Sequence, residues 1–183
     1  MVQIKGTVLL DTIAAVKARS GESELAKIVG LLGGEARQVF QGTINLSGWY
    51  SLDAFVDFLE VDVRETANCD REVLTKRSEV VRIPASRNLR NLCKTWHSRI
   101  RDKSDRLVHE AYFKGLQIIP EIEYHKATIK YVGFQKHHDI MQYVIIGFFR
   151  KALELCGAKQ VALSFSVPIT KGTAYSEVTI TWE

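Results

Sequence analysis

Apolar residues follow a helical period through the first third of the chain. Residues 9–16 and 25–32 each place apolar side chains on one face of a helix, and Gly21 and Gly33 follow as natural stops. Ser51 is a typical N-cap residue for a third helix. The apolar face of that helix consists of Leu52, Phe55, Val56 and Leu59. The pattern predicts that the chain begins with several helices.

A further helix is predicted after Pro84, where Ser86 offers an N-cap. Its apolar stripe consists of Leu89, Leu92, Cys93, Trp96 and Ile100. His97 lies at the edge of this stripe. Two interpretations are open for this histidine: it bonds a nearby backbone carbonyl, or it presents a ligand nitrogen to an apolar cavity.

The apolar period changes from helical to alternating in the second half. Residues 116–124 and 127–131 predict two strands, and the second strand points Ala127, Ile129 and Tyr131 inward. A long helix is predicted from about residue 138 to 156, and residues 160–182 alternate as a hairpin.

This order of elements predicts an α+β fold. N-terminal helices are followed by an antiparallel sheet on which the long helix packs. With 183 residues and 46% hydrophobic content, the chain can bury a sizeable core, and we expect one domain over residues 1–183. The helical part should cover about 1–106, and the sheet with its long helix about 107–183.

Charge is distributed unevenly. Residues 71–106 contain eleven Lys/Arg and four Asp/Glu, a local charge of +7 within a net charge of +4. Because these charges alternate with a helical apolar stripe, we interpret them as a solvated face that contacts a protein partner. Aromatic residues do not interleave with the charges as single-strand binding needs, so no specific nucleic-acid partner is expected.

The sequence lacks the patterns that are typical of membrane-spanning, secreted, disulfide-rich and enzymatic proteins. The sequence has no apolar run long enough to span a membrane, and it starts with no secretory pattern. Its three cysteines form no Cys-x-x-Cys pair, which argues against a disulfide framework or zinc knuckle and favours the cytoplasm. No motif of a hydrolase, nucleotide-binding enzyme or metalloprotease occurs, so an enzyme is not predicted. A homo-oligomer is compatible with the sequence.

Adjacent histidines at 137 and 138 precede the long helix. Neighbouring residues on a helix point about 100° apart, so we do not expect His137 and His138 to bind one metal ion.

The segment around Tyr131 resembles the ligand site of the heme nitric-oxide/oxygen binding family. That family carries Tyr-x-Ser-x-Arg at this point, and the three polar groups hold the heme propionates. Here the tyrosine is kept as Tyr131, whereas Gly133 and Gln135 stand at the serine and arginine positions. The resemblance extends to the opening segment 4–8 and to the helix bearing His97.

The C-terminal half is also similar to vinyl-4-reductase-type ligand domains and to a related myxobacterial family. The shared features are a helix that ends with residues 152–157 (Ala-Leu-Glu-Leu-Cys-Gly) and a last strand that ends at Trp182. These groups are thought to share one fold with tethering subunits of the TRAPP complex. The resemblance implies a bacterial signalling module: a sensor domain that binds a small ligand in a pocket.

Within this resemblance, two cofactor interpretations differ. The replaced serine and arginine predict a pocket without heme that takes an apolar small molecule; the alternative is a heme-based sensor of nitric oxide or oxygen with His97 as axial ligand. A protein-interaction scaffold with a filled pocket is the third interpretation. The predicted pocket residues are Cys93, Trp96, His97, Ile100, Tyr131, Phe134, Met141 and Ile145.

Overall fold

The computed structural model describes residues 1–79 and 112–183. Within these ranges, four strands form an antiparallel sheet in the order β4–β5–β7–β6. The strands are β4 (Gln117–Glu123), β5 (Lys126–Val132), β6 (Ala162–Val167) and β7 (Ser176–Thr181). The predicted C-terminal hairpin is confirmed, and its second strand joins the earlier pair because Ile129 lies opposite Val178.

Alternation along β5 places one face of this sheet in the core. Ala127, Ile129 and Tyr131 are 1%, 2% and 0% exposed, as the period of two predicts. Val178 and Ile180 of β7 are also fully buried beside them. The central strands therefore hold Tyr131 at the end of β5 in a fixed position.

A second, smaller sheet joins the beginnings of the two described ranges. Strand β1 (Gln3–Lys5) pairs antiparallel with β2 (Trp49–Ser51) on one side and with β3 (Phe113–Lys114) on the other. The sequence pattern predicts none of these three strands, because segments of two or three residues are too short to display an alternating pattern.

Four helices precede the large sheet within residues 1–79. They are α1 (Gly6–Leu31), α2 (Gly34–Gln41), α3 (Leu52–Ala67) and α4 (Val73–Ser78). The predicted stop at Gly21 is a kink inside α1, where φ is 84° and ψ is 170°. Such a left-handed φ favours glycine, so the helix changes direction there and continues.

Helix α3 is the central helix of the N-terminal part. Its predicted cap is confirmed, because the Ser51 hydroxyl accepts a hydrogen bond from the backbone N–H of Ala54 at 3.4 Å. The predicted apolar face is buried, with Leu52 and Phe55 at 0% and 1% exposure. One charged residue, Asp62, is buried with it at 1% exposure.

The long helix, α5 (Met141–Leu155), packs against α4. Gly147 faces the backbone of Thr75 so closely that any side chain at 147 would overlap its carbonyl oxygen. Ion pairs flank the contact: Arg71 bonds Asp139 at 2.7 Å, and Arg150 bonds Glu79 at 3.2 Å. We call α4 and α5 with these two pairs the clamped helix pair.

The predicted α+β fold class is confirmed. The helix predicted from Ser86 onward, with His97, and most of the basic stretch 71–106 lie outside the described residues. Two cations of the described portion, Arg71 and Arg77, bond acidic side chains of the same chain.

None of the helices within the described ranges has the length and apolar character needed to cross a membrane. Cys69 is exposed and free, whereas Cys156 is disulfide-bonded. The cytoplasmic location stays a prediction.

Candidate functional site

An apolar cavity of about 100 Å³ lies between the N-terminal helices and α5. Helices α1 and α3 form one wall, α5 forms the opposite wall, and α4 and Phe113 contribute to the sides. Side chains at each wall are mainly aliphatic or aromatic, including Val8, Ala15, Leu59, Val144, Ile145 and Phe148.

The α5 wall follows from the helical period of the sequence. Met141, Val144, Ile145 and Phe148 recur at intervals of three and four residues and so face the cavity together. Phe148 also makes edge contact with Tyr112, at 5.8 Å between ring centroids. Aromatic edges of this kind fix the shape of a cavity wall.

A buried ion cluster closes one part of the cavity. Asp62 accepts hydrogen bonds from Arg19 at 2.7 Å and from Arg77 at 2.8 Å, and all three residues line the cavity. Arg77 also donates to the Thr66 hydroxyl at 2.9 Å. Burial lowers the pKa of Arg77, although the nearby Asp62 carboxylate opposes this shift.

One donor of this cluster has no acceptor among the described residues. The Nε of Arg77 is buried, and no hydrogen-bond partner for it occurs within residues 1–79 and 112–183. A buried unsatisfied N–H costs free energy, so this donor reduces the stability that the ion cluster contributes.

The predicted pocket residues divide into three groups. Met141 and Ile145 lie on the cavity wall. Tyr131 and Phe134 are buried and pack on each other at 5.5 Å, but they are not among the lining residues. The remaining predicted residues lie outside the described ranges: Cys93, Trp96, His97 and Ile100. That these residues bind a ligand stays a prediction.

The polar residues that line the cavity were not predicted from the sequence. Asp62 and Arg77 belong to charged segments that are typical of solvated helix faces, and Arg19 follows the apolar face of α1. The one available signal was Asp62 itself, which interrupts the apolar run of α3. A charge in such a run requires a buried partner.

The segment after Tyr131 differs in chemistry from Tyr-x-Ser-x-Arg. Gly133 has a φ of 119°, a conformation that would strain a serine. Gln135 caps the 3₁₀ turn Lys136–His138, and its side chain accepts from the His138 backbone. Burial raises the pKa of Tyr131 well above its ordinary value, so its phenol is neutral.

A second group of polar side chains surrounds Asp53, in the first turn of α3. The Nε2 atoms of His137 and His138 lie 2.7 and 2.6 Å from Asp53 Oδ1. The expectation that adjacent histidines diverge is wrong here, because both side chains turn towards Asp53 and their rings lie only 4.1 Å apart.

Hydrogen bonds determine the protonation of this group, which we call the Asp53 cluster. His138 Nδ1 accepts from the Gln135 backbone N–H at 3.0 Å, so the proton of the neutral ring is on Nε2 and is donated to Asp53. Burial lowers the pKa of His138, and the neighbouring His137 adds to this effect. Burial opposes ionisation of Asp53, yet hydrogen bonds from both histidines outweigh it and lower the pKa of Asp53.

Comparisons with known proteins identify the fold. No family model matches the chain, and no curated protein matches it. Solved structures do match over nearly its whole length: an H-NOX protein from S. oneidensis in the Fe(II)NO ligation state has a TM-score of 0.65 at 13% identity, covering 98% of this chain and 99% of that one.

Two further structures agree. An Fe(II) unliganded H-NOX protein from K. algicida has a TM-score of 0.64 at 15% identity, over 98% of this chain and 96% of its own. An oxygen-binding H-NOX domain related to soluble guanylate cyclases gives 0.61 at 14%, over 98% and 95%. The chain therefore has an H-NOX-like fold, the heme nitric-oxide/oxygen binding fold that the segment around Tyr131 resembles.

These neighbours correct one prediction. The prediction of a pocket without a cofactor is wrong, because the structures that share the fold are heme-binding H-NOX proteins in Fe(II) states. The replacements at Gly133 and Gln135 change two of the three polar positions of the family motif and leave Tyr131 in place.

Proposed function

We propose that this protein is a heme-dependent sensor domain for a diatomic gas, and not an enzyme. The carrying observation is an apolar cavity between the N-terminal helices and α5, in a chain that shares the H-NOX fold over 98% of its length. Heme bound there would supply an iron that binds nitric oxide or oxygen. The downstream partner is a protein contacted through the basic region around 71–106.

The chemistry of the cavity fits a porphyrin. Its walls are aliphatic and aromatic on both broad sides, so they can enclose a planar apolar ring. Heme also carries two carboxylates, and Arg19 and Arg77 are the cationic residues among the described lining of the cavity. His97, the axial ligand that the family resemblance implies, lies outside the described residues.

The volume of the cavity sets a condition for heme binding. The cavity measures about 100 Å³, below the ~300–1,000 Å³ of usual ligand sites. Heme uptake therefore requires α5 to move away from α1 and α3. Val144 and Phe148 lie on the α5 wall and are only partly buried.

The test is a hemin titration of the purified protein followed in the Soret region. We expect a sharp band that saturates at one hemin per chain and shifts when carbon monoxide is added after reduction. Val144→Trp should prevent uptake because the larger ring fills the cavity. His97→Ala should remove the axial ligand and broaden the band.

A matched control is His125→Ala, since His125 lies at the β4–β5 turn and does not line the cavity. This variant should bind hemin as the wild type does. A broad band of equal size in all four proteins would mean that hemin adsorbs to the surface, and the heme proposal would be rejected.

A further inference from the structure

The Asp53 cluster brings three ligand-type atoms together from two separate elements. Asp53 belongs to the first turn of α3, and both histidines belong to the turn between β5 and α5. One ligand atom from each of the three residues lies within 4.8 Å of the others. Two imidazole nitrogens and a carboxylate oxygen at this separation can reach one ion with small side-chain movements.

We propose that Asp53, His137 and His138 form a binding site for a divalent transition-metal ion such as Zn²⁺. The site is separate from the cavity proposed for heme, since none of the three residues lines that cavity. Imidazole nitrogen together with carboxylate oxygen favours Zn²⁺, Ni²⁺ or Cu²⁺ over Mg²⁺ and Ca²⁺, which prefer oxygen alone.

The protonation of the cluster suits metal binding. Metal ligands must be neutral imidazoles and an ionised carboxylate. Nδ1 of His138 accepts from the Gln135 N–H, as in a neutral imidazole, and the proton on Nε2 is donated to the Asp53 carboxylate. These two residues therefore need to lose no net proton before they bind an ion.

Two of the three side chains are exposed, so an ion can reach the cluster from solvent, whereas the third side chain is buried and held in place. The side chains of His137 and Asp53 are 59% and 48% exposed, whereas that of His138 is 3% exposed. Edge contact of Phe134 with the His138 ring, at 6.0 Å between centroids, helps to hold that ring. Water can complete the coordination on the open side, as at metal sites with three protein ligands.

Binding changes one hydrogen bond of the turn. In the metal-free cluster the His138 proton is on Nε2, because Nδ1 accepts from the Gln135 N–H. Coordination through Nε2 moves that proton to Nδ1, with no net gain or loss, and ends the Gln135 contact. The ion would therefore also alter the turn that joins the Tyr131 strand to α5.

The experiment is calorimetric titration of the purified full chain with Zn²⁺, with Mg²⁺ as the comparison ion. We expect saturation at one Zn²⁺ per chain and no saturable binding of Mg²⁺. Asp53→Asn and His137→Ala should each weaken Zn²⁺ binding by more than the ~10-fold minimum seen when an outer-shell partner is lost. His125→Ala, which removes a histidine far from the cluster, should bind as the wild type does.

Thermal unfolding gives a second measurement. Zn²⁺ should raise the Tm of the wild type and of His125→Ala, but not that of His137→Ala, whose exposed side chain is dispensable for folding. The proposal is overturned if no saturable Zn²⁺ binding occurs, if Mg²⁺ binds equally, or if the variants of the cluster bind Zn²⁺ as tightly as the His125 control.

Discussion

Gly147 of α5 lies directly against the backbone carbonyl of Thr75 in α4. A Cβ at position 147 would overlap this oxygen, and the Ser78 hydroxyl lies nearly as close. The two helices can approach this far only because residue 147 has no side chain. Close approach in turn brings the ion pairs at both ends of the clamped helix pair within bonding distance.

Replacing Gly147 by alanine should destabilise the fold. The new methyl must push α4 and α5 apart, and overpacking of this kind costs about 1–3 kcal/mol. Urea unfolding followed by circular dichroism measures the change. Gly30→Ala is the matched control, since Gly30 is helical with open space around it. It should stabilise by about 0.5–1 kcal/mol, and equal losses in both variants would contradict the packing argument.

Asp62→Asn should cost much more than an ordinary surface substitution. The Asp62 side chain is 2% exposed and bonds Arg19 and Arg77, so its loss leaves two guanidinium groups without their carboxylate. Breaking a buried ion pair from one side costs about 3–5 kcal/mol. Glu22→Gln, which removes an exposed pair with Lys17, should leave the urea unfolding midpoint unchanged.

The stability of the metal-free protein should fall with acid through the titration of His138. Burial holds the folded-state pKa of His138 below its unfolded value, so the unfolded chain binds more protons once the pH falls below about 6.5. The free energy of unfolding therefore has its full value above this pH. It decreases as the pH falls towards the folded-state pKa of His138. The slope cannot exceed about 1.4 kcal/mol per pH unit for one proton.

Measurements between pH 7.5 and about 5 in the presence of a chelator would test this prediction. Protonation of His138 would also put a proton on Nδ1, which could then no longer accept the hydrogen bond from the Gln135 N–H. His138→Gln should remove the slope, whereas His125→Gln should keep it. A slope that persists in His138→Gln would assign the acid sensitivity to other groups.

Phe148→Ala should make hemin uptake easier while weakening the fold. Phe148 forms part of the cavity wall and is only partly buried, so its removal enlarges the space between α5 and α1. Large-to-alanine changes of core aromatics cost about 3–5 kcal/mol, and partial exposure should place this one at the lower end. Stopped-flow hemin binding should be faster than in the wild type. Slower uptake would mean that cavity width does not limit binding.

Much of the sheet and its long helix could be predicted from periodicity. The alternation of Ala127, Ile129 and Tyr131 indicated the correct buried face of β5, because a central strand has one consistently buried side. Ser51 was recognisable as a cap from its residue type and place alone. Gly21 was placed correctly as a break, although the helix resumes after it.

The Asp53 cluster could not be predicted in the same way. Asp53 and His138 are 85 residues apart, and their contact depends on how α3 packs against the turn before α5. His137 and His138 were predicted to diverge at the start of the long helix, whereas both rings contact one carboxylate oxygen of Asp53. Periodic patterns in the sequence indicate local conformation. A contact between residues far apart in the sequence depends on tertiary packing, so these patterns do not predict it.

The clamped helix pair couples the width of the cavity to a distant part of the chain. Helix α5 runs beside α4 with Arg71 tied to Asp139 at one end and Arg150 tied to Glu79 at the other. Arg71 also bonds Glu60 and Arg77 bonds Asp62, both in α3, so an outward displacement of α5 would pull α4 against its contacts with α3. Because α4 ends at Ser78 and the chain continues from there towards His97, a change of cavity width would act on the start of the segment that carries the proposed axial ligand.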